Sequence, residues 1–229
     1  MIFPAALGLS MLGGVVHGTF HRNSFLFGPV LGHLPTREKQ IALTFDDGPN
    51  PEATPRILDT LREYGVLATF FVLGRHAERW PEIVHRVMTE GHQIGNHGYF
   101  HRKLHFKLPY YVKRDLGLGK RAIERATGSS PRFFRAPHGF RNPWVSSIAG
   151  SLGERTIGWS LGVWDSDRPG VKAIVDRTLE GTRPGSIILL HDGDGYNSDG
   201  DRLQTAAALP GIIEGLRKRG YEFVLLPRG

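Results

Sequence analysis

From Gln40 onward the hydrophobic positions alternate between two periods. QIALTFD (residues 40–46) sets Ile41, Leu43 and Phe45 at every second position, as in a strand. TPRILDTLREYG then gathers Ile57, Leu58 and Leu61 on one helical stripe, with Thr54 as the expected cap and Pro55 in the first turn. ATFFVLG predicts a second strand, and RHAERWPEIVHRVMTEG a helix with Ile83, Val84 and Val87 on one face and Gly91 as its stop. HQIGNH, RFFRAPHG, RTIGWSL, GSIILLHD and YEFVLL continue the strand series. Between them lie helices over PYYVKRDLGLGKRAIERATG, Trp144–Leu152, GVKAIVDRTLEGTRP and LQTAAALPGIIEGLRKRG. About seven strands alternating with helices predict an α/β fold with a parallel barrel or open sheet, and the Val, Ile, Leu and Phe runs suit strands buried on both faces.

Ahead of that pattern, MIFPAALGLSMLGGVVHGTFHR is apolar from Ile2 to Val16 without a preceding Lys or Arg. It matches neither a secretory signal nor a span of about 20 apolar residues, so residues 1–38 are expected to form a packed or membrane-touching extension, with a trimmed signal as the rival. Residues 39–229 are expected to be one catalytic domain, a length that a single α/β barrel can use.

Composition narrows the partners. A net charge of +7 and a pI near 9.9 call for an anionic neighbour such as a cell-wall polymer or membrane surface. The basic residues are scattered rather than striped, so nucleic acid is not expected. With no cysteine, disulfides and thiol nucleophiles are excluded. An extracytoplasmic or envelope location is favoured.

The unusual polar residues cluster after predicted strand ends: Asp46 and Asp47, His97 and His101, Arg135 with His138, Asp165, and His191 with Asp192. In α/β barrels that end carries the active site. Adjacent carboxylates repel unless a cation, a basic group or a proton reconciles them. His97 and His101, four apart, present two imidazoles on one side, and two histidines with one carboxylate leave open positions on a divalent ion. One of Asp46 and Asp47 would then hold the ion while the other takes a proton from water. Arg135, beside a proline-fixed loop, can hold a carboxylate ionised. His191 is placed as a general acid, with Asp165 to orient it. The reaction class is metal-assisted hydrolysis of an acyl bond.

In their order, TFDDGP, HGYFH, RAPHG, WDSD and LLHD resemble the five motif regions of the polysaccharide deacetylase family, also called carbohydrate esterase family four, from about Ile41 to the carboxyl terminus. The resemblance implies a distorted (β/α) barrel of about seven parallel strands that removes N-acetyl or O-acetyl groups from a glycan, here an N-acetylhexosamine polymer or oligosaccharide of the cell envelope. It implies Asp46 as base; Asp47, His97 and His101 as ligands of zinc, with cobalt, nickel or manganese as alternatives; and Arg135 as the partner of Asp46. It further implies His191 as acid supported by Asp165, the His138 amide at the oxyanion, and Leu190 beside the acetyl methyl. Trp164, with Trp159, Phe140 and Tyr99, is a candidate for sugar stacking.

Three positions depart from the family pattern: Gly98 where a bracing hydroxyl is usual, His138 where an aromatic is usual, and Ser166 where a Trp is usual. They motivate a catalytically silent glycan-binding relative as one alternative. The apolar amino terminus motivates a deformylase or amidohydrolase acting on a lipid-linked sugar or small amide as another. The pair His191–Asp192 suggests a metal phosphohydrolase only weakly, because that scaffold is usually helical.

Overall fold

In the computed structural model, which describes residues 13–228, β1 (Gln40–Asp46) is the central strand. It lies between β2 (Thr69–Val72) and β7 (Ile187–His191), both parallel to it. Beyond β2 come β3 (Gln93–Asn96), β4 (Phe133–Phe134) and β5 (Arg155–Thr156), and beyond β7 comes β6 (Leu161–Gly162). The short β8 (Glu222–Phe223) pairs with the start of β1. Every pairing is parallel, and the sheet curls into a distorted barrel because residues 155–162 serve two neighbours. Their first residues pair with β4 and their last with β7. The expected single strand over RTIGWSL is therefore two short ones, split where the chain crosses the seam.

Alternation along β1 sorts its side chains. Ile41, Leu43 and Phe45 face outward into the main core, against Ile57, Leu58 and Leu61 of α1 (Ala53–Glu63) and the apolar face of α7 (Leu203–Lys218). Ala42 faces the barrel interior with Phe71, Phe133 and Ile187. Thr44 and Asp46 follow on that inner face, so the strand's period of two delivers Asp46 to the mouth of the barrel.

Two helix expectations are corrected. The stretch from Arg75 to Gly91 forms two helices, α2 (Gly74–Arg79) and α3 (Pro81–Thr89). Pro81 disfavours helical geometry at the preceding residue, and Trp80 accordingly sits at φ −134°, ψ 64°. Thr54 lies inside α1 rather than at its cap; Asn50 Oδ1 accepts the Glu52 and Ala53 amides instead. The longest helix, α4 (Pro109–Thr127), begins on a proline and ends at Gly128 in the left-handed conformation. The remaining helices are α5 (Val145–Ser151) and α6 (Val171–Gly181).

The described part of the amino-terminal extension packs on the barrel. Residues 13–20 are helical, and the chain then runs along the seam, where Leu31 N–H donates to Thr156 O and Leu31 O accepts from Gly158 N–H. Arg22 Nε and Asn23 Nδ2 both donate to Trp159 O at 2.9 Å. Residues 1–12 of that expected extension lie outside the described residues. Among the described residues no helix is long and apolar enough to cross a membrane.

Candidate active site

The polar groups meet at the carboxyl ends of the strands. Asp47 turns the chain out of β1 with φ 74°, a left-handed conformation that Asp tolerates better than most residues. Arg135, fully buried beneath the site, donates through Nη1 to Asp46 Oδ1 at 2.7 Å and to Thr44 Oγ1 at 2.8 Å, and through Nη2 to Gly158 O at 2.8 Å. Its guanidinium lies 4.1 Å from the centre of the Phe71 ring, which forms the apolar floor. One residue thus fixes Asp46 and ties β1 to the seam.

His97 and His101 leave the end of β3 on a tight loop. Since a carbonyl can only accept, the 2.8 Å contact between His97 Nδ1 and Arg135 O makes Nδ1 the donor and leaves a lone pair on Nε2. That Nε2 lies 3.3 Å from Asp47 Oδ1, and His101 Nε2 lies 3.1 Å from the same oxygen. Asp47 Oδ1 is buried without a hydrogen-bond partner, so neither approach has hydrogen-bond geometry. One ligand atom from each of Asp47, His97 and His101 falls within 4.8 Å of the others. An orphaned carboxylate oxygen facing two imidazole nitrogens is a donor set that fits a divalent cation.

Charge supports that fit. Burial would raise the pKa of Asp47, but His101 and His97 outweigh it and hold the carboxyl far below its usual range. Burial drives His101 down to about 3, with His97 adding to the shift against the pull of Asp47, so His101 is neutral. For His97, burial is outweighed by Asp46 and Asp47, which keep its pKa above the usual value.

On the opposite wall, His191 ends β7. Asp165 clamps it: Oδ1 accepts from His191 Nδ1 at 2.9 Å, and Oδ2 accepts the His191 backbone N–H at 2.8 Å and Thr205 Oγ1 at 2.8 Å. Nε2 is the ring nitrogen left free. Burial alone would lower the His191 pKa, yet Asp165 overrides it, and with Asp47 and Asp46 pushes it up to about 9.

Asp46, Asp47, His97, His101 and His191 open onto one cleft of about 580 Å³. Arg135 and Asp165 lie behind it, buried against the groups they hold. A larger cavity of about 710 Å³, at the amino-terminal ends of β3 to β5, contains none of these groups and offers no comparable chemistry. His138 lines the cleft in a left-handed turn (φ 59°), its ring 4.5 Å from that of His101. Trp164 stands on the rim, 69% exposed. Leu190 does not reach the cleft, which corrects the sequence expectation: it points outward into the main core, and Leu189 lines the cavity instead. The face is set by parity, since Leu189 shares the inward side of β7 with His191 and Leu190 does not.

Sequence reasoning missed several contributors. His76 Nδ1 donates to Asp47 O at 2.8 Å, and Tyr196 hydroxyl lies 3.0 Å from His138 Nε2 across the cleft. Asp115, from α4, accepts the amides of Tyr99 at 3.2 Å and Phe100 at 3.1 Å and so braces the loop between the two histidines. Gly98 makes this geometry feasible: its φ is +77°, and a Cβ there would stand 2.4 Å from Asp115 Oδ2. A carboxylate thus replaces the hydroxyl that Gly98 lacks. The signal was present, because Asp115 interrupts the buried stripe of Val112, Leu116 and Ile123.

Residues 33–157 match the family model for polysaccharide deacetylase. The chain belongs to the polysaccharide deacetylase family. It is 41% identical over 202 residues to a peptidoglycan-N-acetylglucosamine deacetylase of Bacillus cereus, covering 86% of this chain and 91% of that protein. It is also 41% identical to a chitooligosaccharide deacetylase of Sinorhizobium fredii, covering 84% and 93%. The solved structure of a peptidoglycan N-acetylglucosamine deacetylase, bound to a naphthyl N-oxidanyl-benzamide, superimposes with a TM-score of 0.79 at 34% identity, covering 86% and 91%. A CE4 family pseudoenzyme from Bacillus anthracis superimposes with 0.76 at 28% identity, covering 86% and 66%. This family member is an enzyme of the deacetylase class with the distorted barrel of its relatives.

Proposed function

We propose that this protein hydrolyses N-acetyl groups of an N-acetylhexosamine glycan of the cell envelope, with zinc held by Asp47, His97 and His101. The observation that carries the reading is the single cleft in which this triad faces both a carboxylate held by arginine and a histidine held by aspartate. The zinc ion, when bound, polarises the acetyl carbonyl and lowers the pKa of water. Asp46, oriented by Arg135, takes a proton from the attacking water as its oxygen bonds to the carbonyl carbon. His191, charged at neutral pH and oriented by Asp165, gives its proton to the sugar nitrogen as the carbon–nitrogen bond breaks. Acetate and a free amino sugar are the products. Leu189 supplies the apolar surface available to the acetyl methyl, and Trp164 an exposed ring for a sugar.

Acetate release from N-acetylglucosamine oligomers, with acetylated xylan as the ester comparison, tests this reading. The zinc-loaded enzyme is expected to act on the amide substrate, and Asp46→Asn to lose on the order of 10²–10⁴-fold in turnover. Equal rates for the two forms would overturn the assignment, and release from xylan alone would move it to O-acetyl esters.

A further inference from the structure

The segment from Arg102 into the first turns of α4 carries a feature that deacetylation does not use. Phe106 is 77% exposed, Leu108 64% and Tyr110 69%, and Tyr111 beside them is also exposed. No hydrogen bond or ion pair among the described residues joins their rings or hydroxyls to another element. The same stretch is basic, because residues 91–114 contain Arg102, Lys103, Lys107, Lys113 and Arg114 and no Asp or Glu. Among the described residues none of these five cations pairs with a carboxylate, although eleven other basic side chains, histidines included, do.

This surface continues onto the amino-terminal helix. The Phe20 ring packs edge-on against His105 at 5.4 Å and Phe140 at 5.3 Å, and His105 lies 3.8 Å from the Phe106 ring. Val15 and Val16, on the same helix, are about half exposed. The sequence leading into that helix, residues 1–12, holds no charged side chain. Aromatic and aliphatic groups ringed by unpaired cations form the pattern that settles at a headgroup boundary: rings enter the interface while Lys and Arg meet anionic phosphates. A polyanionic sugar or nucleic acid would use the cations but has no place for Leu108, Val15 and Val16.

We propose that this face, formed by the exposed side chains of residues 102–114 and of the amino-terminal helix, docks the protein on an anionic phospholipid surface. Phe140 belongs both to this rim and to the cleft, so docking holds the cleft mouth beside the bilayer, within reach of glycan lying along it. The proposal is independent of the substrate reading above, and Phe106, Lys107, Tyr110, Tyr111, Lys113 and Arg114 lie outside the cleft.

Co-sedimentation of the whole protein with phosphatidylcholine vesicles, with and without phosphatidylglycerol, tests the proposal. Binding is expected only with phosphatidylglycerol. The triple variant Phe106→Ser/Tyr110→Ser/Tyr111→Ser and the charge variant Lys107→Glu/Lys113→Glu/Arg114→Glu are each expected to weaken it roughly tenfold or more. Both variants are expected to release acetate from soluble oligosaccharide at the parent rate, which shows that they fold and separates this test from that of the activity. No binding by the parent protein overturns the proposal. So does equal binding to neutral vesicles, which assigns attachment to apolar contact alone, or undiminished binding by both variants, which assigns it to residues 1–12.

Discussion

Asp165 touches His191 through both oxygens, and this dual contact is the largest of the influences that raise the histidine's pKa. In the proposed mechanism a proton on His191 goes to the leaving nitrogen, so turnover is expected to fall as pH rises through about 9. In Asp165→Asn the largest raising influence goes, while burial, which lowers the pKa, and the weaker pull of Asp47 and Asp46 remain. The alkaline limb should then move well down from about 9, a shift that a pH profile of kcat/KM reads directly. Asp115 invites a different measurement. Asp115→Ala releases two loop amides between the metal-facing histidines, and a loss of 10–100-fold in zinc affinity is expected by competition with a chelating dye.

At the scale of elements, the ladder of strand, turn and helix was legible wherever apolar periodicity ran uninterrupted. β1 spans the seven residues over which Ile, Leu and Phe alternate, and α4 lies between its proline and its glycine. What escaped was decided by contacts between distant segments. RTIGWSL is one apolar stretch, yet two different strands compete for its backbone and divide it. Leu190 was misplaced because the identity of a strand does not say which parity faces inward. The turn residues of the cleft were visible as types, but Tyr196 reaches the cleft, and His76 the Asp47 carbonyl behind it, only through tertiary folding. Glu154, just before β5, belongs to the same category. It is buried, receives Asn96 Nδ2 at 3.0 Å, and burial pushes its pKa up to about 8. The folded state therefore binds one more proton than the unfolded chain from about 4.5 to about 8, and stability falls as pH rises across that window. Glu154→Gln, which keeps the shape without the ionisation, should flatten the Tm profile between those limits.

For the whole molecule, the buried pair Arg135–Asp46 is the joint on which site and scaffold meet. Removing the cation in Arg135→Ala strands a buried carboxylate and frees Gly158 O, a loss of about 3–5 kcal/mol measurable by urea titration. The expected cost in turnover at temperatures where the variant is still folded exceeds that of any exposed rim substitution. This coupling was partly legible, since an arginine at a strand end beside a proline suggested a carboxylate partner. Its grip on Gly158 was not, because nothing in the chain announces that two halves of one strand meet there.

The divided strand has one more implication. A ring of paired backbones is only as durable as its least reinforced joint, and here that joint is fastened by the same guanidinium that holds Asp46, the proposed proton acceptor. Mild denaturant should consequently extinguish hydrolysis at concentrations where the helical circular-dichroism signal is still intact, and amide exchange should quicken first around Gly158 to Ser160.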